Sequence, residues 1–339
     1  MFPLESKLLK VFQLSANFRE AVRLTTETIR SISPDEILVK NMYVGVNATD
    51  LNVTAGRYFA HDPIPYRLGI ESLGQIVMIG SNVTNFGVKQ YVVTKPARMR
   101  AYSEYLVLNV HDDHVVRIDE PNPNCLTLLG TSGLTSAIGL SESARIMPGE
   151  TVLITAAAGG LGHLAAQWAM LKGCRVIGLT STAQKAEYLN GLHLERVINY
   201  RTEDLSQVLT AEYPNGIDVI WETVGSPLFE QLFEHLARKG RLVNVGATAG
   251  YKTVGYADIK IKDFIVKLHY GARTVIGFLL MDYKQQYKQY ADELLDYYNR
   301  GLIHPKCQVT DEHNLDGVFN AIDNLHAGLN IGKMMVKLD

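Results

Sequence analysis

Up to about Pro123 the apolar positions come in short runs broken by glycine and proline. Ile37-Leu38-Val39 and Gln75-Ile76-Val77-Met78-Ile79 read as strands, the second bounded by Gly74 and Gly80. Tyr91-Val92-Val93 and Tyr105-Leu106-Val107-Leu108 read the same way. The pattern predicts a mainly β region that is otherwise irregular and turn-rich. Beyond Pro123 the texture changes, and continuous apolar strands alternate with helical stretches. Thr151–Thr155, Arg175–Leu179, Arg196–Asn199, Asp218–Trp221, Arg241–Val245 and Thr274–Phe278 are six such runs. Runs of this kind suit parallel strands covered on both faces, and the spacing leaves room for crossover helices. A helix is predicted around Tyr283–Tyr298. The tail from Cys307 to Asp339 is too small for its own core, so it is expected to rejoin the first domain. The expected division is 1–125 with 301–339, around an α/β doubly wound domain at 126–300. The sequence shows no repeat of solenoid period.

One motif sits where this pattern places a strand-to-helix turn: Thr155-Ala156-Ala157-Ala158-Gly159-Gly160-Leu161-Gly162. It matches G-x-G-x-x-G with Ala157 in the first glycine slot. Gly159 would let backbone approach a pyrophosphate, and Gly162 would let helix and strand pack tightly. The helix N-terminus offers N–H groups and partial positive charge to the same anion. Leu161, Leu164, Ala165, Trp168 and Ala169 then fall on one helical face. A glycine triplet alone also fits an ordinary tight turn; the strand before, the helix after and the further βαβ units favour a Rossmann dinucleotide site.

The second strand of that unit ends at Leu179-Thr180-Ser181, and positions 176–185 contain no carboxylate. A carboxylate there would hold a ribose 2′-OH and repel a 2′-phosphate, so its absence permits NADP(H). Ser181, Lys185 and Tyr200 could supply hydroxyls and a positive charge. Lys185 and Tyr200 also read as solvated surface residues.

Composition narrows the function class. The 339 residues are 47% hydrophobic and 20% charged, ordinary for a globular enzyme. Lysine plus arginine number 33 against 35 acidic residues, so no net basic field recruits nucleic acid or an anionic membrane. Cys125, Cys174 and Cys307 form no CxxC pair, which points to a reducing compartment. The stretch Met1–Lys10 lacks a leader's apolar core, and no run approaches the roughly 18 apolar residues of a membrane span. A cytoplasmic location is expected, with mitochondrial and peroxisomal locations left open.

The chain resembles the medium-chain dehydrogenase/reductase superfamily, and within it the zeta-crystallin-like quinone oxidoreductase branch. Gly45-Val46-Asn47-Ala48-Thr49-Asp50, Ala55-Gly56-Arg57-Tyr58, Thr155–Gly162 and Asn330-Ile331-Gly332-Lys333 carry the resemblance, with Gly277-Phe278-Leu279-Leu280 in support. It implies a β-rich, GroES-like catalytic domain interrupted by a Rossmann domain, and a homodimer. It implies that Ser181, Lys185 and Tyr200 hold the 2′-phosphate of NADPH. It places Thr135 of Thr131-Ser132-Gly133-Leu134-Thr135, Gly246-Ala247-Thr248 and Phe278-Leu279-Leu280 toward the nicotinamide, and includes Asn330 among the cofactor contacts. The cradle itself comprises Ala157, Gly159, Gly160, Leu161 and Gly162.

The resemblance also implies that zinc is absent. Zinc-dependent relatives place a cysteine where this chain has Asn47, and Gly-His-Glu where it has Gly69-Ile70-Glu71. Their structural four-cysteine cluster is missing, and Asn47 and Ile70 cannot complete a zinc ligand set. His111 and His114, with Asp112 and Asp113 between them, read as a solvated turn.

Without a metal, reduction of an activated double bond needs less help than alcohol oxidation. The protein must orient both partners and donate hydrogen bonds to the carbonyl oxygen that gains charge. Tyr251, Tyr58 and Asn47 are the candidate donors, and both tyrosines also fit as packing in the cleft wall. The expected activity is an NADPH-dependent reduction of enones, with 15-oxoprostaglandin-like lipids among the possible substrates. Quinone reduction and an NADPH-binding protein with little turnover are the alternatives. Phe59, Phe278 and Leu280 suit either a lipid site or core packing.

Overall fold

The computed structural model describes residues 2–58, 63–253 and 256–339; Phe59 lies outside them. The chain forms two compact units, 1–131 with 306–339, and 132–305.

The first unit starts with β1 (Leu4–Val11) and β2 (Val22–Ile29), paired antiparallel from Leu4↔Ile29 to Val11↔Val22. The sequence pattern misses both. Val22-Arg23-Leu24-Thr25-Thr26-Glu27-Thr28-Ile29 buries little beyond Val22, so the alternation of a half-buried strand is weak. β3 (Glu36–Gly45), β4 (Tyr66–Arg67), β5 (Glu71–Ile79), β6 (Tyr91–Lys95), β7 (Tyr105–Asn109) and β8 (His114–Ile118) follow. The short β4 pairs with β1, giving a three-stranded sheet in the order β2-β1-β4. β5 runs through Gly74 rather than starting after it. A Cβ at that position would lie 2.3 Å from the Lys40 carbonyl oxygen, so this glycine marks a close approach of β3 rather than a strand boundary.

The second unit holds β9 (Thr151–Ile154), β10 (Arg175–Thr180), β11 (Arg196–Asn199), β12 (Ile217–Glu222), β13 (Leu236–Asn244) and β14 (Thr274–Gly277). They form one parallel sheet in the order β11-β10-β9-β12-β13-β14. The order reverses at β9, and such a switch point opens a crevice at the carboxyl ends of the strands. Val152, Leu153 and Ile154 have no exposed surface, as a strand covered on both faces requires. β14 departs from that expectation. It is the last strand of the sheet, and Thr274, Val275 and Gly277 are exposed.

The helix Gly162–Leu171 is buried on nearly every side, including His163, Ala166 and Gln167, and not only on the predicted face. The helix expected from Tyr283 starts instead at Tyr287 and runs to Asn299. A 3₁₀ segment, Leu280–Gln286, precedes it, and Tyr283 has non-helical geometry.

The tail returns to the first unit. β15 (Cys307–Val309) pairs with β16 (Lys333–Lys337), and β16 pairs antiparallel with β3. The larger sheet of that unit is therefore β15-β16-β3-β5-β6-β8, with β7 on β3. Among the described residues, no helix is long and apolar enough to cross a membrane.

Candidate functional site

The turn after β9 is built from its neighbours' backbones. Thr155 donates its N–H to the Trp221 carbonyl (3.0 Å), and Ala157 donates to Leu179 (3.0 Å), tying the turn to β12 and β10. The positive φ of the turn falls on Ala156 (47°), not on Ala157 in the presumed first glycine slot. The left-handed residue therefore precedes that slot by one position, and Ala157 is free to pack in the core. A Cβ at Gly162 would lie 2.3 Å from the Ala156 carbonyl oxygen, so only glycine lets helix and turn meet here. Gly159, Gly160 and Leu161 remain half-buried at the rim. Beneath them, His163 Nδ1 lies 2.8 Å from the Gly159 carbonyl oxygen, and burial pushes this imidazole down to about 4. The neutral ring then donates to that carbonyl. Ser136 Oγ donates to the Leu161 carbonyl (3.1 Å), which brings the helix Thr131–Ile138, with its buried Thr135, beside the turn.

Ser181 follows β10, and Tyr200 follows the neighbouring β11. Tyr200 donates its N–H to the Thr180 carbonyl (3.1 Å), so the two strand ends lie side by side. Thr182 caps the helix Ala183–Asn190 by accepting from the Lys185 N–H (3.2 Å). Lys185 is half-buried, and burial lowers its pKa. Glu203, next along the loop after Tyr200, is committed to Arg196 (2.5 Å) and to the Asn199 N–H (2.9 Å). Sequence reasoning missed Arg201. Its guanidinium lies 5.9 Å from the Tyr200 ring centroid, on the same exposed loop. A cation adjoining an already suspected phenol was the available signal.

The ends of β12 and β13 are clamped by a second missed residue, Glu222. Its buried carboxylate accepts from the N–H groups of Val224 (2.7 Å) and Gly225 (3.0 Å) and from Asn244 Nδ2 (3.4 Å). Asn244 also donates to the Gly246 carbonyl (3.2 Å). Burial pushes Glu222 up to about 7, against those hydrogen bonds. Tyr251 is buried, and its hydroxyl oxygen accepts from the Ala247 N–H (3.2 Å), closing the Gly246–Tyr251 loop on itself. Past β14, Phe278 stacks on Tyr283 (5.1 Å between centroids) and tilts against Trp221 (6.1 Å). Leu279 is exposed. Leu280 is buried and accepts at its carbonyl from the Tyr287 hydroxyl (3.1 Å).

In the first unit, Asn47, Asp50, Glu71, Tyr102 and Lys333 form one buried polar cluster. The Lys333 ammonium contacts both Glu71 Oε1 and Asn47 Oδ1. Asn47 Nδ2 donates to Glu71 Oε1 (3.0 Å) and to the Gly45 carbonyl (3.3 Å). Glu71 Oε2 accepts from the Thr131 N–H. Asp50 Oδ2 accepts from the Asn47 N–H (2.9 Å) and the Tyr102 hydroxyl (2.6 Å), while Asp50 Oδ1 is buried with no hydrogen-bond partner among the described residues. Burial pushes the Glu71 carboxyl up, but the adjacent ammonium together with the hydrogen bonds from Thr131 and Asn47 outweighs it and holds this group below the usual carboxylate range. Asp50 is pushed up by burial to about 7, and Glu71 adds repulsion. Tyr58 is half-buried beyond the helix Asp50–Thr54, and its N–H reaches the Asn52 carbonyl (3.4 Å). Asn330, also in this unit, is buried and donates from Nδ2 to the Gly332 carbonyl (2.7 Å).

Comparison with known proteins places this geometry. Residues 33–152 match the family described as an alcohol dehydrogenase GroES-like domain, and residues 160–296 the one described as a zinc-binding dehydrogenase. A prostaglandin reductase-3 of Mus musculus is 36% identical over 349 aligned positions, covering 99% of this chain and 90% of that protein. A probable quinone oxidoreductase of Leishmania amazonensis is 33% identical over 343 positions, covering 99% of each. The chain belongs to the medium-chain dehydrogenase/reductase superfamily. Among solved structures, the quinone oxidoreductase of Escherichia coli complexed with NADPH superposes with a TM-score of 0.82 at 23% identity, covering 98% of this chain and 99% of that one.

The word zinc in one family description does not fit the residues of this superfamily member. Among the described residues, no group of three or more His, Cys, Asp or Glu side chains is arranged to hold a metal. Glu71 is saturated by an ammonium, an amide and a backbone N–H, leaving no place for a divalent cation beside it. The pair His111 and His114 is not simply a solvated turn. His111 is exposed, but His114 opens β8, and burial pushes it down to about 4. Asp113 between them is buried and accepts from Arg100 (2.7 Å), Ala97 N–H (2.7 Å) and Asn109 N–H (2.9 Å).

Proposed function

We propose that the protein is a zinc-independent, NADPH-dependent reductase of activated carbon–carbon double bonds, acting on enones, with 15-oxoprostaglandin-like lipids among its candidate substrates. The observation that carries this reading is the pair of strand ends at Ser181 and Tyr200. They offer hydroxyls, the half-buried Lys185 and the adjoining Arg201, and Glu203 is already spent on Arg196. Such a surface suits a ribose 2′-phosphate and disfavours the carboxylate–ribose contact of an NAD site.

When bound, NADPH supplies the hydride that the double bond accepts. The half-buried turn Gly159–Leu161 and the N-terminus of the helix Gly162–Leu171 would hold its pyrophosphate. Thr135, Gly246, Ala247, Phe278, Leu279 and Leu280 of the second unit are the further candidate cofactor contacts, and Asn330 is the candidate in the first unit. Negative charge gathers on the substrate's carbonyl oxygen, and a donor held near it lowers the barrier. Tyr251 and Tyr58 take that role. Asn47 does not, because both its amide hydrogens are given to Glu71 and Gly45. It orients the site instead. Quinone reduction is the second reading, favoured by the quinone oxidoreductase that matches over 99% of both chains.

The proposal includes a homodimer. β14 ends its sheet with Val275 exposed, and the nearby helix Phe264–Gly271 leaves Ile265 (71%) and Tyr270 (73%) open. An exposed strand edge with apolar neighbours is a ready template for pairing with a second copy. Light scattering of the purified protein is expected to give twice the chain mass. A cytoplasmic setting suits the three free cysteines, whose thiols are all pushed up by burial.

The activity is tested by following NADPH oxidation against methyl vinyl ketone and menadione, with NADH in parallel. Turnover of the enone with clear preference for NADPH is expected. Turnover of menadione alone would move the assignment to a quinone reductase. Tight NADPH binding with neither substrate consumed would leave a binding protein.

A further inference from the structure

Lys333 opens β16 with 3% of its surface exposed, and no step proposed above uses it. Its neighbours Glu71 and Asp50 have no exposed surface. The cluster thus seals one ammonium with two carboxylates away from water.

The hydrogen-bond chemistry makes its geometry unique. A lysine ammonium only donates and a carboxylate only accepts. The Asn47 amide lies between them, so its oxygen must face Lys333 and its nitrogen must face Glu71 and the Gly45 carbonyl, as observed. Removing the ammonium would leave the Asn47 oxygen buried without its donor, while Glu71 and the Gly45 carbonyl still hold the nitrogen. The backbone of the same residue leads on to a helix. The Asn47 N–H reaches Asp50 Oδ2, and Asp50 is the first residue of the helix Asp50–Thr54. Within that helix the Asn52 carbonyl takes the N–H groups of Arg57 (2.9 Å) and Tyr58 (3.4 Å), and Asn52 Oδ1 takes Arg57 Nη1 (2.9 Å). An ion pair this deep contributes little net stability compared with apolar side chains of the same volume.

We propose that Lys333 is a positioning residue for the reaction: with Glu71 and the Gly45 carbonyl its buried ammonium anchors the Asn47 side chain, and so steadies the residue whose backbone N–H holds Asp50 at the start of the segment that carries Tyr58. This rests on the reductase reading for its effect on turnover, but not for its effect on the segment.

The test compares Lys333→Met with the double variant Lys333→Met/Glu71→Gln, which removes both partners of the ion pair. The single variant is expected to melt earlier and to lose activity. The double variant is expected to regain most of the melting temperature while kcat with NADPH and methyl vinyl ketone stays down by about tenfold or more, the NADPH KM changing little. Hydrogen exchange measured on peptides spanning residues 46–58 of the unliganded protein is expected to be faster in the double variant than in the wild type. A double variant with wild-type kcat and wild-type exchange would overturn the proposal and leave Lys333 as a charge partner only. If the wild type consumes neither methyl vinyl ketone nor menadione, the reductase reading fails, and the exchange comparison alone decides the role of Lys333.

Discussion

In the second unit the polar groups of the candidate cofactor site, Ser181, Lys185, Tyr200 and Arg201, lie half-buried or exposed at strand ends. In the first unit Lys333 and Glu71 are sealed inside, each answering the other. The difference separates two uses of charge. Groups that await a ligand keep their water until it arrives, and their loss weakens binding with little change in stability. Groups that fix a geometry must be matched within the fold, and losing one leaves its partner buried and uncompensated.

The largest effect that would test this contrast is on folding. Glu71→Gln should destabilise the protein by about 3–5 kcal/mol in urea unfolding, the cost of stranding a buried ammonium. Lys185→Ala, measured the same way, should change stability by less than about 1 kcal/mol. Equal losses would erase the distinction. Next comes the cofactor. Lys185→Ala combined with Tyr200→Phe should weaken NADPH binding by about 100-fold, about 2.7 kcal/mol, in calorimetric titration, and leave NADH nearly unchanged.

A further effect is on the pH dependence of stability, where each unit holds one buried raised carboxyl. Asp50 and Glu222 each carry a folded-state pKa near 7, above the ordinary carboxylate value. A raised carboxyl binds its proton more tightly when folded. Its contribution to stability is therefore complete below the unfolded pKa and is lost as pH rises through the folded one. Between about pH 4 and 7, Asp50→Asn should flatten the fall in stability by roughly 1.4 kcal/mol per pH unit, read from denaturation midpoints. An unchanged slope would mean that Asp50 titrates normally. The smallest effect concerns Tyr251. Tyr251→Phe should lower kcat by about three- to tenfold while NADPH affinity holds, and unchanged turnover would remove it from the chemistry.

The second unit was the more legible in the sequence. Its strands are continuous apolar runs with strong local signal, and the glycine turn lies between the first strand and its helix, all within a short stretch. Glu222 escaped notice because it ends such a run, where its partners Val224, Gly225 and Asn244 carry no charge to advertise it. The first unit hid more. β2 is mostly exposed and polar, so it lacks a period to read. Lys333 was invisible in its role, since a lysine in isolation reads as solvated and its partner Asn47 lies 286 positions away. Asn47 itself was singled out by resemblance, but as a donor, and only the cluster around it shows that its hydrogens are already committed.

β16 has a consequence for the order of assembly. The second unit is one unbroken stretch and emerges from the ribosome complete, able to close its sheet at once. The first unit cannot finish until β16 has been made, because the ammonium that neutralises Glu71 arrives only with that strand. Nascent chains halted before Lys333 should accordingly resist protease across 132–305 and remain open to it across the N-terminal segment. Protection of both segments at that length would show that the acidic pocket closes without its cation.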